Sequence, residues 1–193
     1  MANNYKFYTE KIDLNDAFII HPFVSEDNRG KFVKIYEKDI FAELSISAEI
    51  NEIFQTVSQK NVIRGMHFQT GNPQIKLVSV ICGEILDVIV DLRPDSSTFK
   101  KYIKTNISDQ NKKILYVPKG FAHGFLVLSE MAVVNYVCLG KYNKETDTGI
   151  RFDDPVINIQ WPIGADEVII SKRDQVLQSF NEFQNKALSW INK

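Results

Sequence analysis

The sequence is poor in the residue types that carry metal and redox chemistry, with two cysteines and three histidines among 193 residues. Cys82 and Cys138 each sit inside an apolar run, away from turn residues and basic groups, and are expected to be buried, inert thiols. Charge imbalance is also missing: 23 Lys and Arg against 24 Asp and Glu leave a formal charge of −1. That balance argues against a charge-driven nucleic-acid binder, and a hydrophobic content of 44% argues against disorder. No stretch approaches the ~18 apolar residues of a membrane span, and the opening Met-Ala-Asn-Asn-Tyr-Lys has no apolar signal core. A cytoplasmic protein with a small-molecule partner is expected. Without repeats, linkers or low-complexity tracts, the chain reads as a single domain over 1–193.

What is present is β-structure. Lys76 to Cys82, Glu84 to Leu92, Ile114 to Val117, Gly124 to Leu128 and Met131 to Leu139 are rich in Val, Ile, Leu, Phe and Tyr, and Gly, Pro, Asp or Ser separate them. No helical pattern alternates with these strands, so the expected class is an all-β antiparallel sandwich or barrel, over about 20–165. Helix is confined to the flanks. Glu37 to Leu44 suits a short helix. Gln175 to Ile191 spaces Val176, Leu177, Phe180, Phe183, Leu188 and Ile191 as an amphipathic helix, continuous or interrupted, within a helical segment of about 175–192.

Each histidine can be weighed separately. His21 precedes Pro22 without a polar constellation and reads as structural. His67 lies in Arg64-Gly65-Met66-His67-Phe68-Gln69, where a basic residue, a glycine and a potential general base fall within four positions. A regular strand would put Arg64 and His67 on opposite faces, unless Gly65 introduces a bulge. His123 follows the turn-rich Pro118-Lys119-Gly120 at the entry to a strand. Together with Lys76 and Lys172, these residues supply cationic groups suited to a diphosphate, while Asp87, Asp91 and Asp174 are available to orient them. Asp87 and Asp91 lie four apart in an apolar strand and share a face. Tyr136, inside Val133-Val134-Asn135-Tyr136-Val137, occupies a buried strand position where a phenol can give up a proton.

A metal is the rival use for histidines in an antiparallel barrel. Metal-binding barrels commonly present His-x-His, but Gln69 stands two positions after His67. With no Cys or Glu cluster nearby, the ligand count falls short of the three expected at a catalytic metal, so no metal is expected.

Many ordered motifs resemble the dTDP-4-dehydrorhamnose 3,5-epimerase family. They are Asp27-Asn28-Arg29-Gly30-Lys31-Phe32, the Arg64 to Gln69 motif, Gln74-Ile75-Lys76-Leu77-Val78 and Asp87-Val88-Ile89-Val90-Asp91-Leu92-Arg93. They continue through Pro118 to Phe125, Asp153-Asp154-Pro155, Trp161-Pro162 and Ser171-Lys172-Arg173-Asp174. The resemblance implies a cupin-type jelly-roll barrel, a homodimer and a cofactor-free epimerase acting on a nucleotide-linked 4-keto-6-deoxy sugar. It also implies a place in deoxysugar biosynthesis for lipopolysaccharide or capsule polysaccharide. By the same resemblance His67 is the base, with Asp174 receiving its Nδ1–H. Lys76 faces the enolate oxygen, Tyr136 is the proton donor, and Tyr142 stacks on the nucleotide base. Arg29, Arg64 and His123 contact sugar or diphosphate, and Lys172 and Glu52 join the binding set.

Two departures from the family pattern bear on the substrate. Lys34 stands where the family usually has Glu. The segment before Arg64, usually Gln-x-Asn-x-Ser-x-Ser, reads Glu52-x-Phe54-x-Thr56-x-Ser58 without gaps, although a shifted alignment recovers Gln55. These changes raise GDP as an alternative nucleotide, carrying a 6-deoxy-heptose or hexose. Two competing functions use similar barrels: a 3,4-ketoisomerase, and a carbohydrate-binding jelly roll without catalysis.

Overall fold

The computed structural model describes residues 7–46, 49–164 and 166–191. The chain runs through β1 (Tyr8–Lys11), β2 (Phe18–His21), the hairpin β3 (Phe23–Asp27) and β4 (Gly30–Lys34), and a short helix α1 (Lys38–Glu43). It continues through β5 (Ile50–Gln59), β6 (Ile63–Gln69), β7 (Ile75–Cys82), β8 (Glu84–Asp91), β9 (Tyr102–Ser108), β10 (Ile114–Val117), β11 (Phe121–Val127), β12 (Met131–Leu139) and β13 (Asp147–Gly149). It closes with α2 (Lys172–Gln175) and α3 (Phe180–Ile191). Residues 1–6, read above for a signal segment, lie outside the described residues, as do positions 165 and 192, the expected ends of the barrel and the helical segment. No helix among the described residues is long and apolar enough to cross a membrane.

The strands form a six-stranded sheet, ordered β1-β2-β10-β7-β12-β5, facing a five-stranded sheet, ordered β13-β6-β11-β8-β9. All strand pairs are antiparallel and most neighbours are distant in sequence, which is the jelly-roll arrangement expected. The inner faces share one core: Val78, Leu115 and Val134 come from the first sheet, and Ile85, Ile89, Ile107 and Phe125 from the second. β8 is buried on both faces, because Asp87, Ile89 and Asp91 point inward while Val88 and Val90 are covered by Ile157, Ile159 and Phe180. This double burial is why its sequence is nearly unbroken Ile, Leu and Val.

The structure adds β1 to β6, β9 and β13 to the five strands expected, and departs from expectation at β11, at the terminal helix and at Cys82. β11 starts at Phe121 rather than Gly124, since Phe121 already pairs with Asp91. The terminal helix is broken: α2 ends before Val176, which is 81% exposed, and Gln178 makes a parallel bridge to Ile150. Ser179 then starts α3 as a capping box, its hydroxyl accepting from the Glu182 N–H while Glu182 accepts from the Ser179 N–H. Cys82 is exposed, correcting the expectation of two buried thiols, because its strand emerges from the sheet into the Gly83 turn; Cys138 is buried.

Candidate active site

The site is assembled where β6 meets β11. Their register runs His67 opposite His123 and Arg64 opposite Phe125, so three steps on β6 match two on β11. This bulge puts Arg64 and His67 on the same inward face, which a regular strand forbids. Gly65 is what permits it. Its φ is +127°, and a Cβ there would stand 2.6 Å from the Gly124 Cα and 2.8 Å from the His123 carbonyl oxygen.

α2 delivers the carboxylate. Ser171 is its N-cap and accepts from the Asp174 N–H at 3.0 Å, which fixes Asp174 in the first turn. From there Asp174 Oδ1 lies 2.7 Å from His67 Nε2, and Oδ2 accepts from the Gly65 N–H at 3.3 Å. The ring nitrogen facing Asp174 is therefore Nε2 rather than the expected Nδ1, so Nδ1 is the nitrogen left for chemistry. Burial pushes the Asp174 carboxyl upward, but its hydrogen bonds with His67 and the Gly65 N–H outweigh this and hold it below the usual range.

A cavity of about 310 Å³ opens beside this pair. His67 and Gln69 of β6 form one wall, Gln74 and Lys76 a second, and Glu52 and Phe54 of β5 a third. The register aligns Glu52, Cys138 and Lys76 across β5, β12 and β7, with Phe54, Tyr136 and Val78 in the next inward row. Burial lowers the pKa of the Lys76 ammonium, and the neighbouring Cys138, Asp147 and Asp87 only partly offset this. At the mouth the Tyr142 hydroxyl donates to Asp147 Oδ2 at 3.0 Å, and Arg173 donates to the same oxygen at 2.8 Å.

Beneath the cavity lies a second tier. Tyr136 is 6% exposed, and its ring is stacked by Phe54 at 4.7 Å between centroids. The His123 ring meets it in a T-shaped contact, with centroids 5.8 Å apart. His123 Nε2 is 2.8 Å from Asp87 Oδ2, with both side chains buried. Arg64 bridges the sheets at their open edge, donating from Nε to Ser58 Oγ at 2.9 Å.

Residues 11–182 match the family described as dTDP-4-dehydrorhamnose 3,5-epimerase. The chain belongs to that family. The dTDP-4-dehydrorhamnose 3,5-epimerase of Methanothermobacter thermautotrophicus is 44% identical over 166 residues, 86% of this chain and 90% of its own length. Among solved structures, the enzyme of that name from Elizabethkingia anophelis NUHP1 superposes with a TM-score of 0.86 at 41% identity, covering 91% of this chain and 97% of that one. The dTDP-6-deoxy-D-glucose-3,5-epimerase of Legionella pneumophila Philadelphia 1, solved in complex with dTDP-4-keto-L-rhamnose, gives 0.87 at 37% identity, covering 91% and 94%.

Against the residues expected of this epimerase family, the structure gathers His67, Lys76, Glu52 and Tyr142 at the cavity, with Asp174 behind His67 and with Tyr136, His123 and Arg64 in the tier below. It leaves out two. Lys172 does not line the cavity: it is two positions before the inward Asp174, about 200° around the helix, and Arg173 faces the site instead. Arg29 sits at the β3–β4 turn, paired with Asp27 at 2.6 Å and 86% exposed, away from the cavity of its own chain. Asp91 also serves elsewhere, holding Arg93, Ser96 and Thr98. Asp147 and Arg173 are wall residues that the sequence reading did not select. Arg173 adjoins Asp174 in the Ser171-Lys172-Arg173-Asp174 motif.

The two departures from the family pattern take different places in the structure. Glu52, Phe54 and Ser58 take the inward positions of β5, whereas Gln55 takes an alternate position and reaches Asn135 at 3.5 Å, away from the cavity. Lys34 forms an ion pair with Glu37 at 2.5 Å and is not a wall of the cavity. Among the described residues, no group of three or more His, Cys, Asp or Glu side chains is placed to hold a metal ion.

Proposed function

We propose that this protein is an isomerase that inverts C3 and C5 of a dTDP-linked 4-keto-6-deoxy sugar through an enolate, using its own side chains alone. The observation that carries the reading is the His67–Asp174 pair on the wall of a cavity shared with Lys76. The C4 ketone acidifies the hydrogens on C3 and C5. With Nε2–H held by Asp174, His67 Nδ1 keeps a lone pair and takes the proton. The electrons move onto the C4 oxygen, where the Lys76 ammonium stabilises the developing charge. Tyr136 returns a proton from the opposite face, and its phenol is kept neutral for that step by burial first and by the Asp87 charge second. Tyr142, half exposed at the mouth, supplies the surface on which a nucleotide base stacks.

The same reading makes the protein a homodimer in the cytoplasm. β5 is a ten-residue edge strand with Ile53 and Val57 64% and 62% exposed on its outer face. The β3–β4 hairpin carries an exposed Phe32 and projects Arg29 away from its own cavity, as a segment reaching a second copy does. The deciding experiment is incubation with dTDP-4-keto-6-deoxyglucose in D₂O, with NMR to locate deuterium. Label with inversion at C3 and C5 is expected. Transfer of the keto group to C3 indicates a ketoisomerase instead, and binding without label a carbohydrate-binding module.

A further inference from the structure

The phenol of Tyr136 makes no hydrogen bond among the described residues, yet a proton donor has to be aimed. What holds it is aromatic. Antiparallel pairing sets Phe54 directly opposite Tyr136, and the two rings stack with centroids 4.7 Å apart and planes within 15°. His123 meets the phenol ring at 77°, and is itself fixed by Asp87. Phe54 is 41% exposed and lines the cavity, whereas Tyr136 is 6% exposed and does not. Phe54 therefore stands between the solvent of the cavity and one face of the phenol. Asp87, Arg64, Cys138 and the His123 ring are the charged or titratable groups that face that phenol.

We propose that Phe54 is a positioning residue for the proton donor: its ring fixes the plane of Tyr136 and shields that face from water. This rests on the reading of Tyr136 as the donor. Phe54 stacks on Tyr136 and not on the His67–Asp174 pair, which is held by its own hydrogen bond, so its loss strikes reprotonation and spares abstraction. A misaimed reacting group commonly costs about 10²-fold in rate.

The test compares Phe54→Leu, which keeps apolar bulk without a stacking face, with Phe54→Tyr, which keeps the ring. Two readouts are taken. The first is deuterium exchange against inversion on dTDP-4-keto-6-deoxyglucose in D₂O. In Phe54→Leu, inversion should fall about ten- to a hundredfold while exchange stays near the wild-type rate, and Phe54→Tyr should restore the ratio. The second needs no substrate: alkaline absorbance titration of the phenols, with Tyr136→Phe subtracted. In Phe54→Leu the Tyr136 phenol should ionise at lower pH than in the wild type, because its face is opened to water. Equal loss of exchange and inversion, or an unmoved phenol titration, overturns the proposal. If the wild type neither exchanges nor inverts the sugar, the proposed function fails, while the titration still decides the role of Phe54.

Discussion

His67 and Asp174 are 107 positions apart and meet at 2.7 Å, the carboxylate 4% exposed and the imidazole 27%. That asymmetry suits a base: the anchor is buried and its free nitrogen stays within reach of solvent and substrate. His67→Ala should abolish deuterium incorporation. Asp174→Asn, which preserves shape but removes the charge that orders the tautomer, should lower kcat by about 10²- to 10⁴-fold. Wild-type exchange in either variant would remove the pair from the mechanism.

Tyr136→Phe is expected to separate the two halves of the reaction. Abstraction uses His67, so label should still enter, while inversion falls because the opposite face has lost its donor. NMR of the recovered sugar distinguishes labelled, uninverted substrate from product. Full inversion in the variant would assign the donor role to another group.

Lys76 gives a pH signature as well as a rate effect. Lys76→Gln should reduce kcat by about 10²- to 10³-fold, as loss of one electrostatic stabiliser does. Burial disfavours the ammonium form, so the proton leaves at lower pH than the ordinary lysine value of 10.5. Wild-type kcat should thus decline on the alkaline side before a free lysine titrates. An alkaline limb that persists unchanged in Lys76→Gln would assign that limb to a different residue.

Much of this site was legible in the sequence because its chemistry is local to short motifs. His67, its adjoining Arg64 and Gly65, and the possibility of a bulge could all be read from six residues. The meaning of Gly65, however, depends on Gly124 lying against it, which only strand pairing reveals. Periodicity placed Asp87 and Asp91 on one face but could not separate their roles. Asp87 meets His123 across the sheet, while Asp91 sits at the strand end where the following loop folds back. The Phe54–Tyr136 stack was hidden for the same reason, since the register of β5 against β12 is a long-range property. That Arg173 and not Lys172 faces the cavity is illegible in the sequence, because a four-residue helix gives no periodic pattern from which to read its facing.

Asp91 gives a stability test independent of catalysis. Burial raises its pKa, but hydrogen bonds from Arg93, Ser96 and Thr98 prevail and bring it down to about 2. A depressed carboxyl stabilises the fold above its ordinary value of 3.8, and that contribution is lost as pH falls through about 2. The ionised form contributes on the order of 1–2 kcal/mol, with solvent screening allowed for. Asp91→Asn should cost about 2–4 kcal/mol near neutral pH by leaving its partners unpaired. In denaturant titrations the gap from wild type should narrow as pH falls from about 4 to about 2. A gap that stays constant over that range would show that the charge contributes nothing.

Glu52 offers a test of the nucleotide. One argument for GDP falls away within this chain, because Lys34 is tied to Glu37 and does not line the cavity. Glu52 does line it, with Tyr142 at the same cavity. A carboxylate is acceptor-only, so against guanine it pairs with two adjacent N–H donors, whereas thymine offers one that a glutamine carbonyl accepts equally well. The charge of Glu52 also opposes an incoming diphosphate. With a dTDP-linked sugar, Glu52→Gln should therefore leave KM unchanged or lower it, with kcat preserved, as expected of a change in uniform binding. With a GDP-linked sugar it should raise KM. The wild type should prefer the dTDP-linked 4-keto sugar in kcat/KM by tenfold or more, about 1.4 kcal/mol in transition-state binding. A preference for GDP, together with a raised KM in Glu52→Gln, would make Glu52 a guanine-reading residue and change the substrate assigned to this barrel.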